Sequence, residues 1–146
     1  ARYPFPANPP YIPHDYNPVG SYRTEFDVPS AWKDRQTLIH FGGVYSAFYI
    51  WVNGQMVGYS EDSKTPAEFN ITRYLQAGKN TIAAEVYRWC DGSYLEDQDM
   101  FRLSGIFRDV FLWSTGPTHI RDFEVQPALD AARRDGTLAV TVVVFL

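Results

Sequence analysis

The sequence is poor in cysteine, in basic charge and in long apolar runs. Cys90 is the single cysteine among 146 residues, so no internal disulfide can form. Lysine and arginine number 13 against 17 aspartates and glutamates, and they are scattered along the chain rather than gathered in the basic stripe of a nucleic-acid binder. No apolar run reaches the length of a membrane span. We therefore expect neither a nucleic acid nor a membrane as a partner.

Several motifs of known chemistry are also missing. The sequence has no Gly-x-Gly-x-x-Gly, no phosphate loop, no His-Glu-x-x-His and no serine in a nucleophile elbow. His14, His40 and His119 lie far apart, and each is more simply a surface or strand histidine than part of a metal triad. Cys90 precedes an aspartate, which raises the pKa of a thiol, so a small packed side chain is a better interpretation than a nucleophile. No secretory signal pattern is evident, and a cytoplasmic location is the default expectation.

Short segments of alternating apolar and polar residues dominate what is present. The pattern predicts strands at residues 20–28, 37–41, 47–52, 55–60, 81–87 and 106–113. Asn53-Gly54 predicts a type I′ hairpin, because both residues tolerate positive φ. Residues 69–75 are expected to form a short helical or turn segment, and Phe48, Tyr49 and Trp51 to lie in the sheet core. The sequence therefore predicts an all-β fold, and its aromatic content favours a jelly-roll β-sandwich over an immunoglobulin-like one.

The two ends of the chain differ from this central part. Six prolines in residues 1–18 exclude a helix, and the interleaved aromatic residues predict an extended arm that lies on an aromatic surface. Gly116-Pro117 is a candidate boundary, so we predict one domain at 1–117 and the incomplete start of a second β domain at 118–146. The last seven residues are β-prone and uncharged, and such a strand needs neighbours. We expect the chain to be a piece of a longer protein.

Carboxylates are concentrated in the stretch Trp89–Arg108. Four of them fall within nine residues, namely Asp91, Glu96, Asp97 and Asp99. Like charges this close raise one another's pKa unless cations or hydrogen-bond donors lie among them. The residues alone leave three uses open: carboxylates and aromatic rings that hold a sugar, oxygen ligands for a hard cation, or structural pairing with Arg102, Arg108 and backbone amides. The structural interpretation is preferred for Glu96 and Asp97.

Glycoside hydrolysis by two carboxylates is the most specific enzymatic hypothesis for these residues. A retaining enzyme places its acid and its nucleophile about 5 Å apart, on opposite sides of the anomeric carbon. Glu96, Asp97 and Asp99 share one short loop, which is a poor way to place opposed groups. We therefore expect the chain to contribute one wall of a sugar site rather than the catalytic pair.

Specific runs of residues carry a resemblance to a known family. The run RWCDGSYLEDQDMFRLSGIFRDV, together with FGGVYSAFYIWVNG, VGYSEDS and PAEF, closely resembles the N-terminal domain of the large bacterial β-galactosidases of glycoside hydrolase family 2. The resemblance implies a jelly-roll sugar-binding domain at 1–117, an immunoglobulin-like domain that starts at 118–146, and a (β/α)₈ barrel beyond them with both catalytic glutamates. It implies retaining hydrolysis of terminal β-D-galactose by the parent enzyme, with this chain alone inactive. The implied partners are β-galactosides such as lactose, the barrel domain and further copies in a homo-oligomer.

The resemblance also implies roles for three residues. Asp99 matches a residue that contacts galactose and a sodium ion, while Asp91 and Glu61 match positions at a magnesium site. Asp91 and Glu61 fit a purely structural turn role equally well. Cys90 stands where the resemblance leads us to expect serine, and Phe101 where it leads us to expect tryptophan. Two other classes stay open: a free-standing carbohydrate-binding module and a scaffold for oligomer contacts.

Overall fold

The computed structural model describes residues 3–96 and 101–145, and strands make up most of them. In chain order the strands are β1 (Val19–Asp27), β2 (Gln36–Phe41), β3 (Val44–Tyr45), β4 (Ala47–Val52), β5 (Gln55–Glu61), β6 (Ala67–Asn70), β7 (Lys79–Tyr87), β8 (Gly105–Ile106), β9 (Val110–Thr115), β10 (His119–Leu129) and β11 (Gly136–Phe145). Helical structure in the described residues is limited to 3₁₀ turns at Ser30–Trp32, Thr72–Tyr74 and Asp91–Tyr94. None of these could cross a membrane. The all-β prediction is confirmed.

Two antiparallel sheets enclose the core. One sheet has the order β1-β7-β4-β5 and the other the order β6-β2-β9. Strand β4 shows why the sequence folds in this way, since Phe48, Ile50 and Val52 point inward and are at most 3% exposed. From the facing sheet Ile39 and Phe41 pack into the same cluster. Burial of each such side chain stabilises the fold by about 1.5–3 kcal/mol, so this shared layer holds the jelly-roll sandwich together.

The predicted Asn53-Gly54 hairpin is present between β4 and β5. Asn53 has φ 50° and Gly54 has φ 77°, and Val52 pairs directly with Gln55. The Asn53 side chain also donates to the Tyr74 carbonyl oxygen at 2.9 Å and to Asn80 Oδ1 at 2.8 Å. The turn is therefore fixed by its own backbone preference and by contacts with the 3₁₀ turn at Thr72–Tyr74.

Three local predictions were wrong or incomplete. The helical or turn segment predicted at 69–75 is present as the 3₁₀ turn Thr72–Tyr74, but residues 69 and 70 belong instead to β6, because their backbone pairs with the open edge of β2. The strand predicted at 106–113 is divided into β8 and β9, since Gly42 N–H bonds to the Asp109 carbonyl oxygen and Phe107 N–H to the Gly43 carbonyl oxygen where the chain bends. Of the three aromatic residues assigned to the core, Phe48 is buried, whereas Tyr49 and Trp51 are half-buried on the outer face of the sheet.

The last two strands form a separate ribbon. Within the described residues, β10 and β11 pair with each other and with no other strand, in a register that runs from His119 opposite Phe145 to Leu129 opposite Gly136. Every described residue of β11 is exposed. The β structure predicted for this part of the chain is confirmed. Their assignment to the start of an immunoglobulin-like domain stays a prediction.

Candidate functional site

The acidic stretch begins where β7 ends. Cys90 N–H donates to Ser93 Oγ at 3.0 Å, and Ser93 N–H returns a bond to the Cys90 carbonyl oxygen, which closes the 3₁₀ turn Asp91–Tyr94. Ser93 is fully buried, and Asp91 at the start of the turn is exposed. The sequence thus anchors this turn on a small buried hydroxyl while the Asp91 carboxylate stays accessible.

The proline-rich arm covers Trp89, the residue that precedes this turn. The rings of Tyr3 and Phe5 lie 5.7 and 5.6 Å from the Trp89 ring. The Asn17 side chain bonds to both the N–H and the carbonyl oxygen of Trp89, at 3.0 and 2.9 Å. Trp89 is therefore 3% exposed, and the predicted arm on an aromatic surface is confirmed.

Glu96 is the last described residue of the acidic stretch before residue 101, and its carboxylate attaches this stretch to the sandwich. Its carboxylate accepts bonds from Ser63 N–H at 2.8 Å and from Ser63 Oγ at 2.5 Å. Its predicted structural role is confirmed, with a backbone amide and a hydroxyl as partners. Arg102 donates to the Ser93 carbonyl oxygen, and Arg108 to the carbonyl oxygens of Gly42 and Lys64.

Two of the predicted roles concern residues that the structure does not describe. Asp99, expected to contact galactose and sodium, and Asp97, expected to have a structural role, lie outside the described residues. Phe101 is described and is 87% exposed. A large apolar ring with that exposure, next to the acidic stretch, is available to a ligand or to another part of a larger protein.

Asp91 and Glu61 are 30 residues apart in sequence and meet in space. A carboxylate oxygen of each and Cys90 Sγ all lie within 4.8 Å of one another. Among the described residues no lysine or arginine forms an ion pair with either carboxylate. The structure therefore brings together the two residues expected at the magnesium site. It adds Cys90, which sequence reasoning considered only as a nucleophile or a packed side chain.

The surroundings of this cluster shift the pKa values of two neighbouring groups. Burial raises the pKa of Tyr59, and the charge of Glu61, which accepts the Tyr59 hydroxyl at 3.1 Å, raises it further. Burial also raises the pKa of Cys90, in the direction predicted from the neighbouring acid. Both groups are therefore neutral at pH 7.

A groove of about 480 Å³ opens beside the cluster. One wall comes from the outer face of the sheet, with Tyr49, Tyr59 and Tyr87, and the other from Tyr11 and His14 of the arm. The Tyr49 and Tyr59 rings are 4.7 Å apart. Aromatic faces can pack on the apolar face of a pyranose while carboxylates accept from its hydroxyls, so the groove and cluster together can hold a hydroxylated ligand or a cation.

Fold and site define a β-sandwich domain with an oxygen-rich cluster at the end of an aromatic groove. Residues 1–116 match the family model described as the sugar binding domain of glycosyl hydrolases family 2, and the chain belongs to this family. The resemblance drawn from the sequence motifs is confirmed.

Two curated relatives share high sequence identity with the chain. The β-galactosidase of Priestia megaterium is 59% identical to the chain over 143 residues, which are 95% of this chain and 14% of that protein. The β-galactosidase of Alteromonas mediterranea is 56% identical over 95% of this chain and 13% of its own length. The chain thus spans about one seventh of the length of the curated relatives it matches.

Solved structures share the fold at lower identity. A β-glucuronidase from an uncultured Clostridium superposes with a TM-score of 0.76 and 27% identity, over 86% of this chain and 24% of that one. A β-glycosidase from Bacteroides vulgatus superposes with a TM-score of 0.70 and 30% identity, over 87% and 16% of the two chains. The jelly-roll sandwich prediction is confirmed.

Proposed function

We propose that this chain is a non-catalytic part of a β-galactosidase and completes the galactoside site of that enzyme. The observation that carries the proposal is the identity of 59% and 56% to two proteins named β-galactosidase, over 95% of the chain. The solved glucuronidase and glycosidase are 27% and 30% identical. The parent enzyme hydrolyses terminal β-D-galactose from β-galactosides such as lactose, with retention of configuration.

The described carboxylates support a non-catalytic role. A retaining mechanism needs two carboxylates about 5 Å apart that face the sugar from opposite sides. Glu61 and Asp91 have a suitable separation, but they converge with a thiol on one point in the manner of cation ligands. Glu96 is occupied by Ser63. The acid and the nucleophile are therefore assigned to a barrel domain of the parent, and Asp99 is assigned to contacts with galactose and a sodium ion.

Asp91 and Glu61 are proposed as ligands of a divalent cation, for which the family resemblance implies magnesium. The donor set fits, because both carboxylates are exposed and none of the described lysines or arginines neutralises them. A bound cation supplies positive charge between two acids. The residues themselves then fix the turn at Asp91–Tyr94 against the end of β5, and so set the direction in which the acidic stretch leaves the sandwich.

A chimera tests the galactosidase proposal. The matching 143 residues of the Priestia megaterium enzyme are replaced by those of this chain, and hydrolysis of a chromogenic galactoside is measured. We expect kcat/KM within about tenfold of the natural enzyme, and a loss of roughly 100-fold or more on Asp99→Ala, which removes a contact to the reacting sugar.

Two controls decide how that result is interpreted. The chain by itself should show no turnover, and turnover that disappears in its Asp99→Ala variant contradicts the non-catalytic assignment. In the chimera, Glu124→Ala on the exposed β10 should leave kcat/KM unchanged. A chimera that folds and is active, but keeps its activity after Asp99→Ala, removes Asp99 from the site.

The groove between arm and sheet favours a second candidate, a carbohydrate-binding module that acts unaided. Its four tyrosines and adjacent carboxylates are the groups that bind sugars in shallow sites. Calorimetry of the chain with galactose and lactose separates the two functions. Saturable binding that is lost on Tyr59→Ala supports the module, and no heat of binding supports a site that needs the rest of the parent.

A further inference from the structure

Cys90 is the unexpected member of the cluster with Glu61 and Asp91. Its Sγ and one oxygen of each carboxylate lie within 4.8 Å of one another. It is a free thiol, 8% exposed, and its position is fixed by the backbone bond to Ser93 Oγ. The site therefore offers one sulfur and two oxygens, where the resemblance leads us to expect the hydroxyl of a serine.

The local backbone leaves room between the sulfur and the carboxylate. Gly92 follows the cluster, and a Cβ added there would lie 3.5 Å from Cys90 Sγ and 3.8 Å from Glu61 Oε2. Because Gly92 has no side chain, no atom of this residue lies between the thiol and the Glu61 carboxylate. The thiol also interacts with the hydroxyls of Ser46 and Ser93, and its distance of 3.8 Å to Ser93 Oγ marks a weak bond.

The identity of the donor atoms decides which cation the site prefers. Magnesium binds hard oxygen ligands and gains little from sulfur, whereas zinc and cadmium bind thiolate strongly. We infer that Cys90, Glu61 and Asp91 together form a site that selects a thiophilic divalent cation, zinc or cadmium, over magnesium. The inference rests on the cation role proposed above for Asp91 and Glu61, and it is independent of galactoside hydrolysis.

The spacing is compatible with such an ion after a small movement. Zinc lies about 2.3 Å from sulfur and about 2.1 Å from a carboxylate oxygen, so tetrahedral ligands are about 3.5 Å apart. Closing the cluster from 4.8 Å requires the carboxylate oxygens to shift by about 1 Å. Glu61 and Asp91 are exposed, and their carboxylates would exchange hydrogen bonds from the Tyr59 hydroxyl and from Gly92 N–H respectively. Binding replaces the S–H bond with a sulfur–metal bond and releases one proton to the solvent, and water fills the remaining position.

Cadmium titration of the chain tests the inference, because sulfur-to-cadmium charge transfer absorbs in the ultraviolet and Cys90 is the single thiol. We expect a band that saturates at one equivalent and survives about a hundredfold excess of Mg²⁺. Zinc should compete for the site. Cys90→Ser should abolish the band and weaken cadmium binding, measured by calorimetry, by about tenfold or more. A wild-type band that magnesium displaces at a comparable concentration overturns the inference.

Variants that keep Cys90 test whether cadmium is held by the three residues together or by the thiol alone. Glu61→Gln and Asp91→Asn should each weaken cadmium affinity by about tenfold, because each removes a charged ligand. Glu124→Gln on the exposed β10 is the matched control and should leave it unchanged. Equal affinity in Glu61→Gln, Asp91→Asn and the wild type shows a lone thiol and overturns the inference. A chimera without galactosidase activity but with this cadmium response separates failure of the proposed function from failure of the site.

Discussion

The sandwich and the β10–β11 ribbon have similar strand sequences but differ in burial. In β4, Ile50 and Val52 are both 0% exposed, whereas Val142 in β11 is 46% exposed. Both segments are rich in apolar residues suited to strands. A strand face is buried only when a second layer covers it, and β4 has β2 opposite, while no described residue covers β11. Burial here depends on the facing layer rather than on the strand itself.

The ribbon nevertheless has two distinct faces. Its register places Phe123 opposite Val142 and Val125 opposite Val140 on one face, while Glu124 lies opposite Thr141 on the other. The face with Phe123, Val125, Val140 and Val142 is therefore the one that a second layer would cover. The match to the family model ends at residue 116, before this ribbon begins. The same substitution should have very different consequences in the two regions.

Isoleucine truncation should show the largest difference. Ile50→Ala opens a cavity in the sandwich core and should lower the free energy of unfolding by about 2–5 kcal/mol. Ile120 in β10 is 65% exposed, so Ile120→Ala should cost less than about 1 kcal/mol. Urea denaturation of both variants measures the difference. Similar costs would show that Ile120 is covered in solution, and a dependence of its cost on protein concentration would identify a second copy as the cover.

Removal of a buried amide should show the next largest effect. Asn80 is fully buried; its Oδ1 accepts from Asn53 Nδ2 and Gln76 N–H, and its Nδ2 donates to the carbonyl oxygens of Gln76 and Gly78. Asn80→Ala leaves these partners unsatisfied and should cost about 2–3 kcal/mol in urea denaturation. Gln126 makes one exposed bond to Glu124, so Gln126→Ala should cost less than about 0.5 kcal/mol. Equal costs would contradict the difference between the regions.

The anchor of the acidic stretch should show a smaller effect. Glu96→Ala removes both acceptors of the fully buried Ser63 and should lower the free energy of unfolding by about 1–2 kcal/mol. Glu124→Ala removes an exposed carboxylate of the ribbon and should cost less than about 0.5 kcal/mol. Limited proteolysis within residues 97–101 should become faster in Glu96→Ala alone. Unchanged proteolysis and stability would show that Ser63 does not hold this stretch.

Sequence reasoning recovered features that depend on local chemistry. Asn53-Gly54 predicted its hairpin because positive φ is a property of those two residues. The alternation of Ile82, Ala84 and Val86 predicted which side of β7 is buried, and all three are at most 9% exposed. The fold class followed from the accumulation of such signals, and the family motifs then identified the sandwich.

Features that depend on distant partners were missed. Ala67–Asn70 became a strand because β2 offered an unpaired edge, which no local pattern reveals. The meeting of Glu61 and Asp91 was implied by resemblance rather than worked out from the residues. Cys90 was not considered as a third ligand, although it lies next to Asp91 in sequence. A cysteine adjacent to an expected ligand is the signal that could have found it.

Glu68 connects the two regions and should show the smallest effect, one that depends on pH. Its carboxylate accepts bonds from His40 Nδ1 at 3.0 Å and from Trp113 Nε1 at 3.1 Å in the sandwich, and it pairs with Arg121 of β10 at 3.5 Å. Partial burial raises the pKa of Glu68, but these bonds outweigh it and the pKa lies below its ordinary value. A lowered pKa stabilises the folded state above the pKa of the unfolded chain, and this contribution is lost as the pH falls through the folded value.

The free energy of unfolding should therefore decrease between about pH 5 and pH 3, and Glu68→Gln should flatten that decrease because no carboxylate remains to titrate. At pH 7, Arg121→Ala should cost less than about 1 kcal/mol, since the pair is partly exposed. Arg133→Ala in the exposed turn of the ribbon is the matched control and should have no effect. If Arg121→Ala behaves like Arg133→Ala while Glu68→Gln still flattens the acid limb, His40 and Trp113 account for the pKa of Glu68. The ribbon then contributes nothing to the stability of the sandwich.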